Sequence, residues 1–391
     1  MTATMKTEER GAVADTRPVS TMPEILLDLA AGRHPCDDAV IDGELLRVAT
    51  DHRMTGLLWT WARDHLEEGD ERRRLAIRDL EVQAHLRRVS RVLGDCVDRL
   101  AAAGIEVATI KGVTAEQRWF ARPGERLASD VDLWIGPHDV QRIGAVLETL
   151  APDHPWIPYT DALAASGRIQ SITIRVDGLE VDLHLDLLKL GVPTRSNTDI
   201  WDRMVQLSLP NGGCVRVLDD SSALLQFLVH LNKDRFQRLL GFADVARVIG
   251  AGSVDWGRLV SLARRDGIET PVLCSLETVL DALELPWPND LERPCGARAA
   301  LWRWIWRPSI RLLGTEGRLR FRRRQQWIPF LARGRILEAS RAWFLDLWPP
   351  SVTVQSHYGD VKGPYLWKLI VGRARSAADR RRQIERERAS K

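Results

Sequence analysis

Three aspartates lie in patterns that would bring their carboxylates together on one sheet. Asp130 and Asp132 frame the start of the apolar run Val131–Ile135, and Asp182 lies in the alternating run Leu179–His184. Because side chains alternate along a strand, Asp130 and Asp132 are expected to project from the same face. Two such carboxylates, joined by a third from a neighbouring strand, form a ligand set for one or two Mg²⁺ ions. The spacing therefore predicts a divalent metal site at Asp130, Asp132 and Asp182.

A turn suited to phosphate precedes these carboxylates. Lys111 and Gly112 follow a predicted strand over 105–110 and precede a helical stretch over 114–120. A glycine at this point lets backbone amides approach phosphate oxygens, and Lys111 or Arg126 adds positive charge. A pair of metal ions beside such a turn would polarise the α-phosphate of a nucleoside triphosphate and offset the charge of the departing pyrophosphate. The pattern favours phosphate chemistry.

Each of these features also has a purely structural interpretation. An Asp-x-Asp pair is common in surface strands, and Glu180, Asp182 and His184 are also typical of the solvated face of an amphipathic strand. Gly112 also fits an ordinary turn. For each feature considered alone, the structural interpretation is favoured. Their combination and order along the chain favour a catalytic site.

Hydrophobic periodicity indicates the elements that must position these residues. The strongest local pattern is a pair of alternating runs joined by Asp177-Gly178, which predicts a β-hairpin with a type I′ turn. A weaker hairpin joins 205–209 to 214–218, and helical spacing dominates before and after the strands. The predicted fold is α+β, with a small mixed sheet between helical regions. The predicted regions are a disordered leader (1–22), an N-terminal helical region (23–104), the sheet-containing core (105–220), a helical domain (221–300) and a C-terminal region (301–391).

The composition excludes several classes of protein. Hydrophobic residues make up 45% and charged residues 28%, which is typical of a globular chain. No stretch approaches the roughly 18–20 uncharged apolar residues of a membrane-spanning helix. The leader lacks the apolar core of a signal peptide. The five cysteines are scattered without a Cys-x-x-Cys pair, which argues against disulfides or zinc and predicts a cytoplasmic location.

The charge is unevenly distributed. Residues 301–391 hold 21 lysines and arginines against 7 acidic residues, a net charge of +14, whereas residues 1–300 carry −11. The same C-terminal region contains seven of the 15 tryptophans. Such a mixture of cations and aromatic rings is typical of protein regions that bind nucleic acid or an anionic lipid surface. Packing on the acidic body explains it equally simply, and we favour that interpretation.

The quoted motifs resemble a known superfamily. Lys111-Gly112, Arg126, the run Ser129-Asp130-Val131-Asp132-Leu133 and Asp182-x-His184 are similar to the pattern of nucleotidyltransferases, and in particular of a poorly characterised bacterial group of nucleotidyltransferase family proteins. The resemblance covers roughly residues 25–290. It departs from the superfamily pattern in a longer spacer between Gly112 and Asp130, of 17 residues, and in Val113, where a small residue is usual.

The resemblance implies a palm-like core and a role for each motif residue. Asp130 and Asp132 would bind both metals, and Asp182 would bind the catalytic metal and help to activate the acceptor. Lys111, Gly112, Arg126 and Ser129 would contact phosphates. His184 would orient Asp182 or face a substrate, and packing beside its strand neighbours is an equal alternative. His230, Arg235 and Asp244 lie on the following helices, where capping and salt-bridge roles are favoured over nucleotide contacts.

The function implied is Mg²⁺-dependent transfer of a nucleoside monophosphate from a nucleoside triphosphate, with release of pyrophosphate. ATP is the expected donor. The acceptor is left open between a small molecule and a peptide or protein, nucleic acid is not favoured, and no oligomeric state follows. Two alternatives remain: a catalytically silent nucleotide-binding regulatory or scaffold protein of the same fold, and an RNA-directed transferase that uses the basic C-terminal region.

Overall fold

The computed structural model describes residues 22–35, 41–65, 69–153, 161, 164, 169–190, 193–209, 213–234, 236–310, 364, 370 and 371. Within these ranges the chain forms twelve α-helices and six β-strands. The helices are α1 (Met22–Ala31), α2 (Gly43–Asp51), α3 (Thr55–His65), α4 (Asp70–Ala102), α5 (Val113–Trp119), α6 (Ile143–Leu150), α7 (Asn197–Asp202), α8 (Asp220–Lys233), α9 (Leu239–Gly250), α10 (Trp256–Arg265), α11 (Glu269–Ala282) and α12 (Gly296–Ile310). The strands are β1 (Val107–Thr109), β2 (Val131–Ile135), β3 (Ser171–Val176), β4 (Leu179–His184), β5 (Val205–Ser208) and β6 (Cys214–Val217).

The six strands form one mixed sheet in the order β3-β4-β2-β1-β6-β5. β2 and β4 run parallel, as do β1 and β6, and the other neighbouring pairs are antiparallel. This arrangement of one mixed sheet with many helices confirms the predicted α+β class. The central pair β2–β4 joins two strands that are distant in sequence, so residues of both predicted acidic segments become neighbours.

The two faces of the sheet have different partners. On one face, Leu133 and Leu183 belong to a hydrophobic cluster that also contains residues of α4 and α6. On the other face, Trp134 belongs to a second cluster, which contains residues of α1–α3 and α8–α12. Because neighbouring strand residues point to opposite faces, Asp132 and Asp182 lie on the Trp134 face, beneath the larger helical layer.

Both predicted hairpins are confirmed. β3 and β4 pair in the register Val176↔Leu179, and the intervening Asp177 and Gly178 have φ of 48° and 75°. Two positive φ angles are what a type I′ turn requires, and they match the twist of the flanking strands. β5 pairs with β6 in the second hairpin, whose loop residues 210–212 lie outside the described residues.

The predicted helix boundaries are also close to those observed. The long Arg-rich helix α4 has 33 residues, and Gly104 with φ of 66° follows its end. Asp255 caps α10 by accepting a hydrogen bond from the backbone N–H of Arg258 at 2.8 Å. A short polar side chain at this position satisfies a helix N–H that has no partner within the helix.

The chain termini lie mostly outside the described residues. The predicted leader is outside except for Met22, the first residue of α1, and the basic region is described only at 301–310, 364, 370 and 371. The division of the chain into domains stays a prediction. Among the described residues, no helix combines the length and the apolar character needed to cross a membrane.

Candidate active site

Strands β2 and β4 bring two of the candidate carboxylates together. Asp132 and Asp182 are register partners on these parallel strands. His184, two residues after Asp182, places its Nε2 atom 3.0 Å from Asp132 Oδ1 and 3.1 Å from Asp182 Oδ2. One ligand atom from each of the three residues lies within 4.8 Å of the others. The sheet therefore brings two carboxylates and one imidazole together at a single point.

The chemistry of this group fits a divalent cation. Carboxylate oxygens are the protein ligands that Mg²⁺ prefers, and Mg²⁺ is commonly held by one or two of them together with substrate phosphates. Asp132 is 2% exposed, whereas Asp182 is only partly buried, so the pair faces outward on one side.

His184 fits an orienting role better than a ligand role. A metal-bound imidazole almost always donates its second N–H to a partner. Here Nδ1 of His184 is buried and has no hydrogen-bond partner among the described residues. The tautomer with the proton on Nε2 satisfies both neighbours, because that N–H points at the two carboxylates. His184 thus lies where it can hold Asp132 and Asp182 in place, and its role stays a prediction.

Each carboxylate also carries an ammonium partner. Lys111 Nζ lies 3.0 Å from Asp132 Oδ1, and Lys189 Nζ lies 2.6 Å from Asp182 Oδ2. Burial opposes ionisation of Asp132, but Lys111 and His184 outweigh it and lower the pKa of Asp132 to about 2. In the same way, His184 and Lys189 outweigh burial and hold the pKa of Asp182 well below its usual range. Both carboxylates are thus ionised at neutral pH.

Lys189 is held by the segment that follows β4. Its φ of 48° lies in the left-handed region, which is uncommon for a residue with a side chain. Asp186 fixes this segment by accepting hydrogen bonds from the backbone N–H of Lys189 at 2.8 Å, the N–H and hydroxyl of Thr194, and the amide of Asn197. The strained backbone therefore persists because the surrounding hydrogen bonds determine it.

Helix α8 brings a third lysine and a histidine within electrostatic range of the site. Lys233 is exposed at the end of the helix, and His230 Nε2 lies 3.3 Å from Asp234 Oδ2. Desolvation by the surrounding protein, together with the positive charges of Lys111 and Lys233, lowers the pKa of His230 to about 4. With this pKa the imidazole is neutral at neutral pH, so the predicted salt-bridge role of His230 stays a prediction. Arg235 lies outside the described residues.

The Lys111-Gly112 turn is supported from behind by Arg126. Gly112 has φ of 69° and ψ of −128°, a conformation that residues with a Cβ atom rarely adopt. Arg126 donates a hydrogen bond to the Gly112 carbonyl at 3.1 Å and two more to the carboxylate of Asp244. Arg126 is 7% exposed, so its guanidinium is committed to these contacts. Its predicted contact with phosphate stays a prediction.

Asp130 lies beside the converging group and has different partners. Its Oδ1 accepts a hydrogen bond from the Ser129 hydroxyl at 3.0 Å, and Arg53 donates to that hydroxyl at 3.2 Å. Within the described residues, the group of converging ligand atoms contains Asp132, Asp182 and His184 without Asp130. Asp130 is still close enough to help raise the pKa of Lys111 against the effect of burial. Metal binding by Asp130 and phosphate binding by Ser129 stay predictions.

Comparison with known proteins identifies the family. The chain matches a family described as uncharacterised nucleotidyltransferase over residues 39–282, which is more than half of its length. The protein belongs to this family. The match confirms the resemblance inferred from the motifs, all of which lie within the matched segment.

A solved structure is also similar, although weakly. It is the crystal structure of an antigenic nucleotidyltransferase-like protein from Paracoccidioides brasiliensis, with a TM-score of 0.31 and 14% sequence identity. The similarity covers 49% of this chain and 87% of that chain. No curated protein matches the chain.

Two lysines beside the candidate site of this nucleotidyltransferase family member were not predicted from the motifs, namely Lys189 and Lys233. Neither lies in a recognisable motif, because one follows a strand end and the other closes a helix. A compositional signal was nevertheless present. The chain contains 49 arginines but only seven lysines, and residues 22–310 contain three lysines, at 111, 189 and 233.

Proposed function

We propose that this protein transfers a nucleoside monophosphate from a nucleoside triphosphate, with ATP as the expected donor, to an acceptor hydroxyl or phosphate and releases pyrophosphate. The observation that carries the proposal is the register pairing of Asp132 with Asp182, with His184 between their carboxylates. Membership of a nucleotidyltransferase family supports the reaction class. The acceptor is proposed as a small molecule or a peptide or protein.

Mg²⁺ is the proposed cofactor, and Asp132 and Asp182 are the residues that would hold it. When bound, such a cation polarises the α-phosphate and lowers the pKa of the attacking hydroxyl. His184 keeps both carboxylates directed to the same point. The Thr173 hydroxyl donates to Asp182 Oδ1 at 3.1 Å, which fixes the orientation of the more exposed carboxylate.

The remaining roles follow from exposure and charge. Asp182 is the carboxylate that an acceptor hydroxyl reaches, because Asp132 is almost fully buried. Since the pKa of Asp182 is well below its usual range, it is a weak proton acceptor. It therefore orients the acceptor by accepting a hydrogen bond. Gly112, with its positive φ, is the proposed place where backbone amides approach phosphate, and Lys111 adds charge beside it.

The test is transfer of label from α-³²P-labelled ATP with Mg²⁺ to panels of small molecules, peptides, proteins and RNA. Asp132→Asn and Asp182→Asn should each reduce transfer at least about a hundredfold, since several kcal/mol of charge stabilisation is lost. Glu180→Gln is the matched control, because Glu180 lies on the same strand and is exposed. Transfer that survives both asparagine substitutions would overturn the proposal.

A catalytically silent nucleotide-binding protein is the second candidate. It is favoured by the two lysine–carboxylate pairs, which neutralise the carboxylates without a metal. It predicts saturable ATP binding without pyrophosphate release across the acceptor panels. RNA-directed transfer through the basic region rests on residues that lie mostly outside the described ranges, and it stays a prediction from the sequence.

We propose the cytoplasm as the compartment. The described cysteines Cys96, Cys214, Cys274 and Cys295 are free thiols. Free thiols are typical of proteins in reducing compartments.

A further inference from the structure

Arg53 occupies a backbone position at which glycine is usual. α2 ends with His52 as its C-cap, and the backbone N–H of Met54 returns to the Ala49 carbonyl at 2.7 Å. Arg53 is therefore the first residue beyond the C-cap of a Schellman turn, and its φ is 59°. Glycine adopts this left-handed conformation without steric cost, whereas a side chain makes it less favourable. The chain keeps an arginine here against the local backbone preference, so the reason for it lies in its side chain.

The start of α9 holds this turn in place. Leu239 and Leu240, the first two residues of α9, donate their backbone N–H groups to Nδ1 and to the carbonyl of His52, each at 3.3 Å. N–H groups at the start of a helix have no partner within the helix, so His52 satisfies two otherwise unpaired donors. His52 is almost completely buried, and water therefore does not compete for these contacts. The base of the Arg53 side chain is thus fixed relative to the helical layer.

From this fixed base the half-buried Arg53 side chain reaches the start of β2. Its Nη1 atom donates to the Ser129 hydroxyl at 3.2 Å, and that hydroxyl donates to Asp130 Oδ1 at 3.0 Å. Because the hydroxyl oxygen accepts from Arg53, its single hydrogen is left to point at the carboxylate. Asp130 precedes Val131, the first residue of β2, so the strand ladder does not include it. These two hydrogen bonds therefore orient the Asp130 carboxylate.

We propose that Arg53 is a positioning residue, which acts through the Ser129 hydroxyl to hold the Asp130 carboxylate ready for the divalent cation of the site. The inference rests on the proposed nucleotidyl transfer, because that reaction requires the cation. A carboxylate that rotates freely must be immobilised when it binds a cation, and this ordering lowers affinity. Hydrogen bonds that fix the carboxylate beforehand reduce this cost. In this role Arg53 contacts neither the cation nor the substrate.

Charge and positioning predict opposite effects of removing Arg53. The guanidinium and Asp130 are close enough for their charges to interact. If Arg53 acted only through its charge, its loss would leave the site more negative and would strengthen cation binding. If Arg53 orients Asp130, its loss should weaken cation binding, because the carboxylate becomes free to rotate. The sign of the change in cation affinity therefore separates the two effects.

The experiment measures Mn²⁺ affinity on the full-length protein, with free Mn²⁺ followed by electron paramagnetic resonance. Arg53→Gly removes the side chain and suits the left-handed turn. It should bind Mn²⁺ about three- to tenfold more weakly, as for loss of one hydrogen bond. Its melting temperature should stay within about 3 °C of the wild type or rise. Ser129→Ala, which breaks the same pair of hydrogen bonds, should weaken Mn²⁺ binding by a similar factor.

Two further variants locate the effect. Glu284→Gly is the matched backbone control, because Glu284 follows the C-cap of α11, has φ of 52° and is exposed. This control should bind Mn²⁺ like the wild type. In a protein that already carries Asp130→Asn, Arg53→Gly should cause no further change, because the carboxylate that it orients is gone.

Mn²⁺ affinity that is unchanged or higher in Arg53→Gly overturns the positioning role. An equal weakening by Arg53→Gly with and without Asp130→Asn also overturns it, since the effect would not pass through that carboxylate. Wild-type affinity in Ser129→Ala overturns the path through the hydroxyl, and this variant tests the proposal even when Arg53→Gly does not fold.

The label-transfer assay separates this inference from the proposed function. If the Mn²⁺ affinities change as expected but no acceptor is labelled, nucleotidyl transfer is wrong and the role of Arg53 is supported. If label is transferred while Arg53→Gly binds Mn²⁺ like the wild type, transfer is supported and the role of Arg53 is wrong.

Discussion

Arg126 and Asp244 form a buried bidentate pair, with Arg126 Nε and its second terminal nitrogen donating to the two Asp244 oxygens at 2.6 and 2.9 Å. Asp244 lies on α9 and Arg126 lies between α5 and β2, so the pair joins the helical layer to the sheet. Because Arg126 also donates to the Gly112 carbonyl, the same guanidinium connects α9 to the proposed phosphate turn.

Removal of one partner of this pair should be costly. Asp244→Ala leaves a buried guanidinium without its carboxylate and should lower the free energy of unfolding by about 3–5 kcal/mol. Chemical denaturation measures the change. The apolar double variant Arg126→Met with Asp244→Leu should recover much of the loss, and Glu81→Ala, which breaks the exposed Arg78–Glu81 pair, should cost at most about 1 kcal/mol. Equal losses for Asp244→Ala and Glu81→Ala would contradict this role.

Gly112→Ala tests the backbone of the phosphate turn. A Cβ atom there would meet the Asp130 carbonyl at 3.5 Å, which is ordinary contact, so the expected cost arises from the positive φ. We expect a loss of about 1–3 kcal/mol in unfolding free energy and weaker ATP binding. Gly250→Ala is the control. Gly250 is the last residue of α9, and no atom lies within 4 Å of the Cβ atom that alanine adds there. ATP affinity and stability equal in the two variants would show that the Gly112 conformation is not required.

Acid should expose the contribution of Asp132 to stability. Its pKa in the folded protein is about 2, below the ordinary value of 3.8, so its stabilising effect is present above the ordinary value and is lost as pH falls through about 2. The wild type should therefore lose on the order of 2 kcal/mol more than Asp132→Asn between pH 5 and pH 2. Unfolding free energies of both proteins, measured between pH 5 and pH 2, test this contribution of Asp132. Parallel pH profiles for the two proteins would refute the pairing.

Thr173→Val tests the orientation of Asp182. The substitution keeps the shape of an exposed strand residue but removes the hydroxyl that donates to Asp182 Oδ1. We expect kcat/KM for label transfer to fall about two- to tenfold, as for loss of one hydrogen bond, with little change in stability. Thr149→Val, which removes a hydroxyl within α6, should leave transfer unchanged. A Thr173 variant with wild-type activity would remove this residue from the site.

Local signals accounted for most of the fold. The Asp177-Gly178 hairpin and the long helix α4 follow from turn chemistry and hydrophobic period, which act over a few residues. Asp130 shows where that reasoning stops. Strand alternation applies only within a strand, and β2 begins at Val131, so Ser129 and Arg53 decide the environment of Asp130 instead.

The lysines could not be placed by local reasoning. Lys189 takes its position from the hydrogen bonds that Asp186 makes to an irregular segment, and Lys233 takes its position from the packing of α8 against other helices. Both depend on contacts between distant parts of the chain. The scarcity of lysine marks these residues in the sequence, but only the fold brings Lys189 to Asp182 and Lys233 within electrostatic range of Lys189.

The larger hydrophobic core reaches beyond the segment that defines the family. The family match ends at residue 282 and begins at residue 39, after α1. Nevertheless Ile25 and Leu26 of α1, and Trp302 of α12, are almost completely buried in the core that lies over the carboxylates. An expression fragment trimmed to the family segment would expose this apolar surface to water and aggregate. The smallest unit expected to fold therefore extends from α1 to α12.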